Sequence, residues 1–199
     1  LYLSDNDMRT KPSALFTYYT DEESSLSIQD ISSDAYTSKF KSLNEKSSLG
    51  FSSSVIWARI LIQNDTEVSQ WYLRFLYPGT DQLTIFTANI EGGYDPQTRS
   101  FHEDFSKREI EDRLMSFHLP VPVGTQQVIY LRYQTHSTVS LHAKILSEKE
   151  WVHTRVSEAF YHALLYGALV VVIIVSLIFG YISRSTQYLY VLAVCFGFI

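Results

Sequence analysis

Cysteine is all but missing from this chain of 199 residues: only Cys195 occurs, inside an apolar run near the end. The part before residue 160 therefore has no disulfide framework and no thiol chemistry, although that silence does not fix the compartment. Also missing are a Gly-rich phosphate loop, a GxSxG turn, an HExxH helix and a CxxC pair. The six histidines, at 102, 118, 136, 142, 153 and 162, lack metal-ligand spacing, so no metal or other cofactor is expected. There is no basic block either. All 21 acidic residues and 15 of the 16 basic ones precede residue 160, which leaves that part at net charge −6. Nucleic acid is thus not expected as a partner.

Charge of either sign is absent from Ala159 to Ser183. At ~1.5 Å rise per residue, about 20 apolar residues cross a hydrocarbon core of ~30 Å. This stretch has that length and is apolar all round, as lipid on every side demands. The alternative is a core helix of a soluble protein, which is usually shorter and broken by polar residues. A polar turn, Ser183-Arg-Ser-Thr-Gln187, then leads to a second apolar run, Tyr188 to Ile199. The chain stops inside that run, so it is expected to be a fragment of a protein with further helices. It begins at Leu1 with neither an initiator Met nor a visible signal peptide, so processing or truncation is expected there.

What precedes the span reads as β-structure. Residues 1–13 form a polar lead-in, Ala14 to Tyr19 is β-prone, and Asp21-Glu-Glu-Ser-Ser25 is a solvated turn. Leu26 to Phe40 suggests short irregular or edge structure, and Lys41 to Gly50 a polar connection. Val55 to Gln63 is rich in β-branched and aromatic residues, with Gln70 to Tyr77 as its expected hairpin partner across Asn64-Asp-Thr-Glu67. The sequon Asn64-Asp-Thr66 falls in that turn, whose own needs explain Asn and Asp. Further strands are expected at Gln82–Thr87, Leu114–Leu119, Gln127–Tyr133 and Ser140–Leu146. Their spacing, without helical pattern between them, indicates an all-β sandwich or jelly roll over residues 14–146.

At Ser147-Glu-Lys-Glu150 the period changes and a capping box is expected. A connecting helix, 147–161, then runs into a transmembrane helix, 162–183, with a truncated second one at 187–199. Trp151, Phe160, Tyr161 and Tyr166 would lie near headgroups. A β-domain rigidly coupled to a membrane helix is therefore expected. Counting Lys144, Lys149 and Arg155 before the span against Arg184 after it places the β-domain inside. Large domains that follow a signal peptide translocate regardless of such charges, so the count does not settle orientation.

Candidate binding residues come from alternation. Ile56, Ala58, Ile60 and Ile62 form an apolar core face, which leaves Trp57 and Arg59 together on the other. Tyr130 and Arg132 likewise share a face opposite Ile129 and Leu131. Aromatics beside Arg on an exposed sheet face suit a sugar ring or a carboxylated ligand. Equally, such residues can simply cover the sheet and stack on each other.

The ordered features resemble a known family. They are Gly50-Phe-Ser-Ser-Ser-Val-Ile-Trp-Ala-Arg59 leading to Asn64, then Trp71-Tyr-Leu with Tyr77-Pro78, then Phe105-Ser-Lys-Arg-Glu-Ile110 with Arg113. Phe117-His-Leu-Pro120, Gly124 and Tyr130-Leu-Arg132 follow, with Tyr166-Gly167 in the span and Ser185-Thr-Gln-Tyr-Leu-Tyr190 after it. This order resembles bacterial seven-transmembrane receptors with diverse intracellular signalling modules. Ser176 departs from it, standing about where many members carry Asn.

The resemblance implies a carbohydrate-binding-module-like jelly roll outside the cell, over residues 1–160, and a multi-pass anchor in the bacterial inner membrane. It also implies a cytoplasmic output module in the same chain, such as a histidine kinase or diguanylate cyclase. The expected function is a sensory receptor, with no enzyme activity in the residues at hand. Its ligand group is Trp57, Arg59, Arg108, Arg113, Tyr130 and Arg132. Expected partners are a small molecule or carbohydrate, the lipid bilayer, the output module and, as an open option, a second copy of the chain. Two other readings stand beside it: an anchored module that docks a partner protein through the same sheet, and an anchored glycosidase. The glycosidase needs two carboxylates facing each other across a cleft.

Overall fold

The computed structural model describes residues 1–3, 16–43, 48–89, 91–104, 110, 112–184 and 187–197. The chain opens with β1 (Tyr2–Leu3) and β2 (Thr17–Asp21), then two short helices, α1 (Ile28–Ile31) and α2 (Asp34–Thr37). There follow β3 (Lys41–Ser42), β4 (Ser48–Phe51), β5 (Val55–Asn64), β6 (Gln70–Phe75), β7 (Gln82–Ala88) and β8 (Tyr94–Ser100). After them come β9 (Ser116–Pro120), β10 (Gln126–Gln134), β11 (Thr138–Ser140) and β12 (Ala143–Ser147). Two helices close the described chain, α3 (Glu148–Ser183) and α4 (Gln187–Gly197).

The strands make a sandwich. One layer is a seven-stranded sheet in the order β3-β2-β5-β10-β7-β8, with β1 alongside the end of β5. Opposite it lie a three-stranded sheet, β12-β6-β9, and the pair β11-β4. Pairing is antiparallel except for β1 on β5. Successive side chains alternate across a sheet. Ile56, Ala58, Ile60 and Ile62 of β5 thus turn inward with Ile129, Leu131 and Tyr133 of β10 and Leu83 and Ile85 of β7. They meet Trp71, Leu73 and Phe75 of β6, Phe117 and Leu119 of β9, and Ala143 and Ile145 of β12. The expected β5 core face and the β-sandwich are both present.

Several local expectations are corrected. β5 and β6 do not form a hairpin: β6 belongs to the opposite sheet, and β5 pairs with β10 and β2. The crossing is tied down by Asn64, which is 0% exposed. Its amide donates to the carbonyls of Val68 and Val121, both at 2.7 Å, and its carbonyl accepts from the Thr66 N–H and hydroxyl. A carboxamide so fully used is a buried clip between the layers, not an accessible sequon or a hairpin residue. The Ser147 hydroxyl is buried without a hydrogen-bond partner among the described residues, so the expected capping box does not form. Leu26 to Phe40 holds two helices rather than edge structure, and Tyr94–Ser100 and Ser48–Phe51 are strands.

Helix α3 is 36 residues long and is, among the described residues, the one helix long and apolar enough to cross a membrane. Protein covers almost none of its apolar surface: Leu164, Val171, Ile174, Leu177 and Ile178 are exposed, and only Ser176 is buried. Side chains of this kind need lipid as their solvent. Within the same unit, Phe179 of α3 stacks on Tyr188 of α4 at 6.2 Å.

Candidate functional site

Alternation sends the other half of each strand in the seven-stranded sheet to its outer face. Register then sets neighbours: Arg132 lies between Trp57 and Thr84, and Tyr130 between Arg59 and Phe86. On the far side of β5, Tyr19 pairs with Trp57 and Thr17 with Arg59. The four residues expected from alternation, Trp57, Arg59, Tyr130 and Arg132, are therefore brought together on one face.

That face is not open at Trp57 and Tyr130, which cover the sheet and pack against other rings, the alternative that alternation left beside a binding face. Trp57 is 1% exposed and Tyr130 5%. A strap comprising α1, α2 and the residues after them covers both. The chain leaves β2 in a turn held by the Asp21 carboxylate, which accepts the N–H groups of Ser25 and Leu26 at 3.4 and 3.0 Å. Ser27 then caps α1: its hydroxyl accepts the Asp30 N–H, and Asp30 accepts the Ser27 N–H at 2.9 Å. Ile28 and Ile31, three apart on α1, share one side and pack with Val55 and Trp57.

Aromatic rings fill the remaining space beneath the strap. Tyr19 meets Tyr36 edge-on at 5.4 Å, Phe40 meets Tyr130 at 6.5 Å, and Trp57 stacks on Phe86 at 5.6 Å. Tyr130 is also met edge-on by Tyr94 at 5.5 Å. Burial pushes the Tyr130 phenol above its ordinary pKa and Tyr94 adds to that, against the pull of the Arg59 guanidinium. Trp57 and Tyr130 are consequently core residues of a second small hydrophobic cluster. The Trp57 indole N–H has no acceptor among the described residues.

Arg59 is half-buried at the strap's edge. Its Nε donates to the Thr17 hydroxyl at 3.3 Å and its Nη2 to the Thr37 carbonyl at 3.0 Å, while the guanidinium lies 4.4 Å from the Phe40 ring centre. No carboxylate pairs with it among the described residues. Beside it is a cavity of about 310 Å³ lined by Thr17, Arg59, Leu61 and Val128. Arg132 instead donates to Gln134 at 3.1 Å. A larger open cleft, about 680 Å³, lies where the strap meets the sheet edge, with Tyr19, Glu22, Tyr36, Lys39 and Lys41 among its walls. Lys39 sits 4.0 Å over the Tyr36 ring and covers it.

The family model for the 7TMR-DISM extracellular 2 domain matches residues 13–147. The chain belongs to this family. No curated protein matches it. The 7TMR-DISM domain is a receptor-type extracellular module rather than a catalytic one, and it makes this a membrane protein with an extracytoplasmic segment. In the 7TMR-DISM domain the match ends where β12 ends.

Of the two arginines expected from the resemblance, Arg113 is not placed with the group. Arg113 is exposed in the segment that closes over Arg74 of the three-stranded sheet, on the other side of the sandwich. Arg108 lies outside the described residues. Sequence reasoning missed Thr17, Phe40, Leu61 and Val128. The Ser27-x-x-Asp30 cap and the aromatic spacing of Tyr36 and Phe40 were the available signals for the strap, but only register could seat it on Arg59.

Among the described residues no cluster of His, Cys, Asp or Glu could hold a metal ion.

Proposed function

We propose that this 7TMR-DISM domain is the sensory input of a multi-pass receptor in the bacterial inner membrane. It binds a small, carbohydrate-like or related metabolite on the strap side of the seven-stranded sheet. The jelly-roll likeness to carbohydrate-binding modules belongs to the same proposal. Occupancy is passed through α3 to a cytoplasmic output module. The observation that supports this reading is the order of elements: the strand β12, ending at Ser147, is followed directly in sequence by α3, which is long and apolar enough to cross a membrane. A ligand shifts such a receptor only by its difference in affinity between two states.

The test uses the full chain in lipid nanodiscs against neutral sugars, sugar acids and short carboxylates. A binder should raise the unfolding temperature and change amide exchange both in residues 27–40 and in the first turns of α3. Should no compound shift the temperature while periplasmic protein is captured specifically, the chain is an anchored interaction module and the sensor reading falls.

A further inference from the structure

We infer that the cavity beside Arg59 binds a carboxylate with a short apolar body, and that Arg59 is the residue that recognises it. The inference rests on the sensor reading above and narrows its ligand class. Arg59 has five N–H donors in a rigid fork matched to a carboxylate. Its acceptors among the described residues are uncharged, namely the Thr17 hydroxyl and the Thr37 carbonyl. With one N–H given to each, three of the five remain. Thr17, Thr37 and Phe40 hold the fork in place, so little side-chain freedom is lost when an anion arrives.

The rest of the cavity dictates the body of the ligand. Leu61 and Val128 supply apolar walls, and among the described residues Thr17 is the one other polar group lining it. A neutral sugar needs an open aromatic platform and several polar partners. Here Trp57 is covered by the strap, and Tyr130, 5% exposed, is packed against Phe40 and Tyr94. At about 310 Å³ the cavity stands at the small end of ligand pockets, which favours a body of a few carbons. Because Thr37 and Phe40 belong to the strap, a carboxylate taken by Arg59 also changes what holds the strap down.

The experiment titrates the full chain in nanodiscs with butanoate, hexanoate, decanoate and benzoate. Hexanamide, benzamide and glucose serve as neutral controls. Carboxylates should bind and their amides should not, with hexanoate and benzoate ahead of decanoate. Arg59→Gln should weaken hexanoate at least about tenfold, the worth of a charge-assisted hydrogen bond. Leu61→Trp fills the cavity at a position 46% exposed, so folding is spared, and it should abolish binding with every Arg59 contact kept. Glucose bound with carboxylates ignored would overturn the inference and leave the sensor reading standing. Amides equal to carboxylates, or hexanoate indifferent to both substitutions, would also overturn it. Failure of every probe, glucose included, would remove both.

Discussion

Each outer face of the sandwich holds one arginine under a covering segment, and the two are treated differently. Arg74, 2% exposed, meets Asp112, 4% exposed, in a two-pronged pair with Nε and Nη2 at 2.9 and 3.1 Å from its oxygens. Asp112 also accepts the Ser116 hydroxyl at 2.6 Å and the Leu114 N–H at 3.2 Å. Charge and hydrogen bonds are satisfied inside the fold. Arg59 is equally fixed in place but has no carboxylate described beside it, and a cavity instead. A buried charge without its counter-ion is costly, whereas a half-exposed one at a cavity can wait for a partner from outside. The contrast separates an arginine that organises a loop from one available to a ligand.

Breaking the first pair should have the largest effect. Asp112→Ala takes the bidentate carboxylate away from a buried guanidinium and should cost about 3–5 kcal/mol of unfolding free energy, read by denaturant titration. The same carboxylate gives a pH dependence. Burial works to raise the Asp112 pKa, but Ser116, Arg74 and Leu114 outweigh it and hold it below the ordinary value. Its contribution is therefore complete above the unfolded carboxylate range, about pH 4, and is lost as pH falls through the folded value. Asp112→Asn should flatten that acid limb.

Trp57→Ala should cost about 3–4 kcal/mol, because its ring is core beneath the strap rather than an exposed platform. A change under about 0.5 kcal/mol, seen in the unfolding midpoint, would mean that the strap does not cover it. The converse edit gives Arg59 the counter-ion that Arg74 already has. Thr17→Asp should alter stability by no more than about 1 kcal/mol and reduce hexanoate binding at least about tenfold, measured by calorimetry. Smallest of all is Arg113→Ala, which should leave both stability and binding within about 0.5 kcal/mol of the parent.

Legibility followed pattern strength. β5 and β10 could be read because Ile56, Ala58, Ile60 and Ile62, and again Ile129 and Leu131, alternate against polar or aromatic neighbours. β8 could not: it carries Asp95, Pro96 and Gln97, composition tolerated only at a sheet edge, where it lies. The layer swap after β5 was hidden because a short polar turn between two strong strands looks like a hairpin. What decides otherwise is the burial of Asn64 and its bonds to Val68 and Val121. For the site, alternation placed Trp57 with Arg59 and Tyr130 with Arg132, and register joined them into one group. The strap escaped because four-residue helices have no period to read, and with it went the knowledge that Trp57 and Tyr130 are buried. Arg113 was carried by resemblance alone, and a resemblance in order says nothing about which face a loop residue joins.

The most direct test compares the unfolding free energies of Arg59→Gln and Arg74→Gln in the full chain, in one detergent and at neutral pH. The account predicts a loss of about 3–5 kcal/mol for Arg74→Gln, which removes the guanidinium from the buried pair with Asp112, and about 1 kcal/mol for Arg59→Gln. Equal losses would contradict it, since Arg59 would then be as structural as Arg74 and the cavity beside it would have no recognising residue.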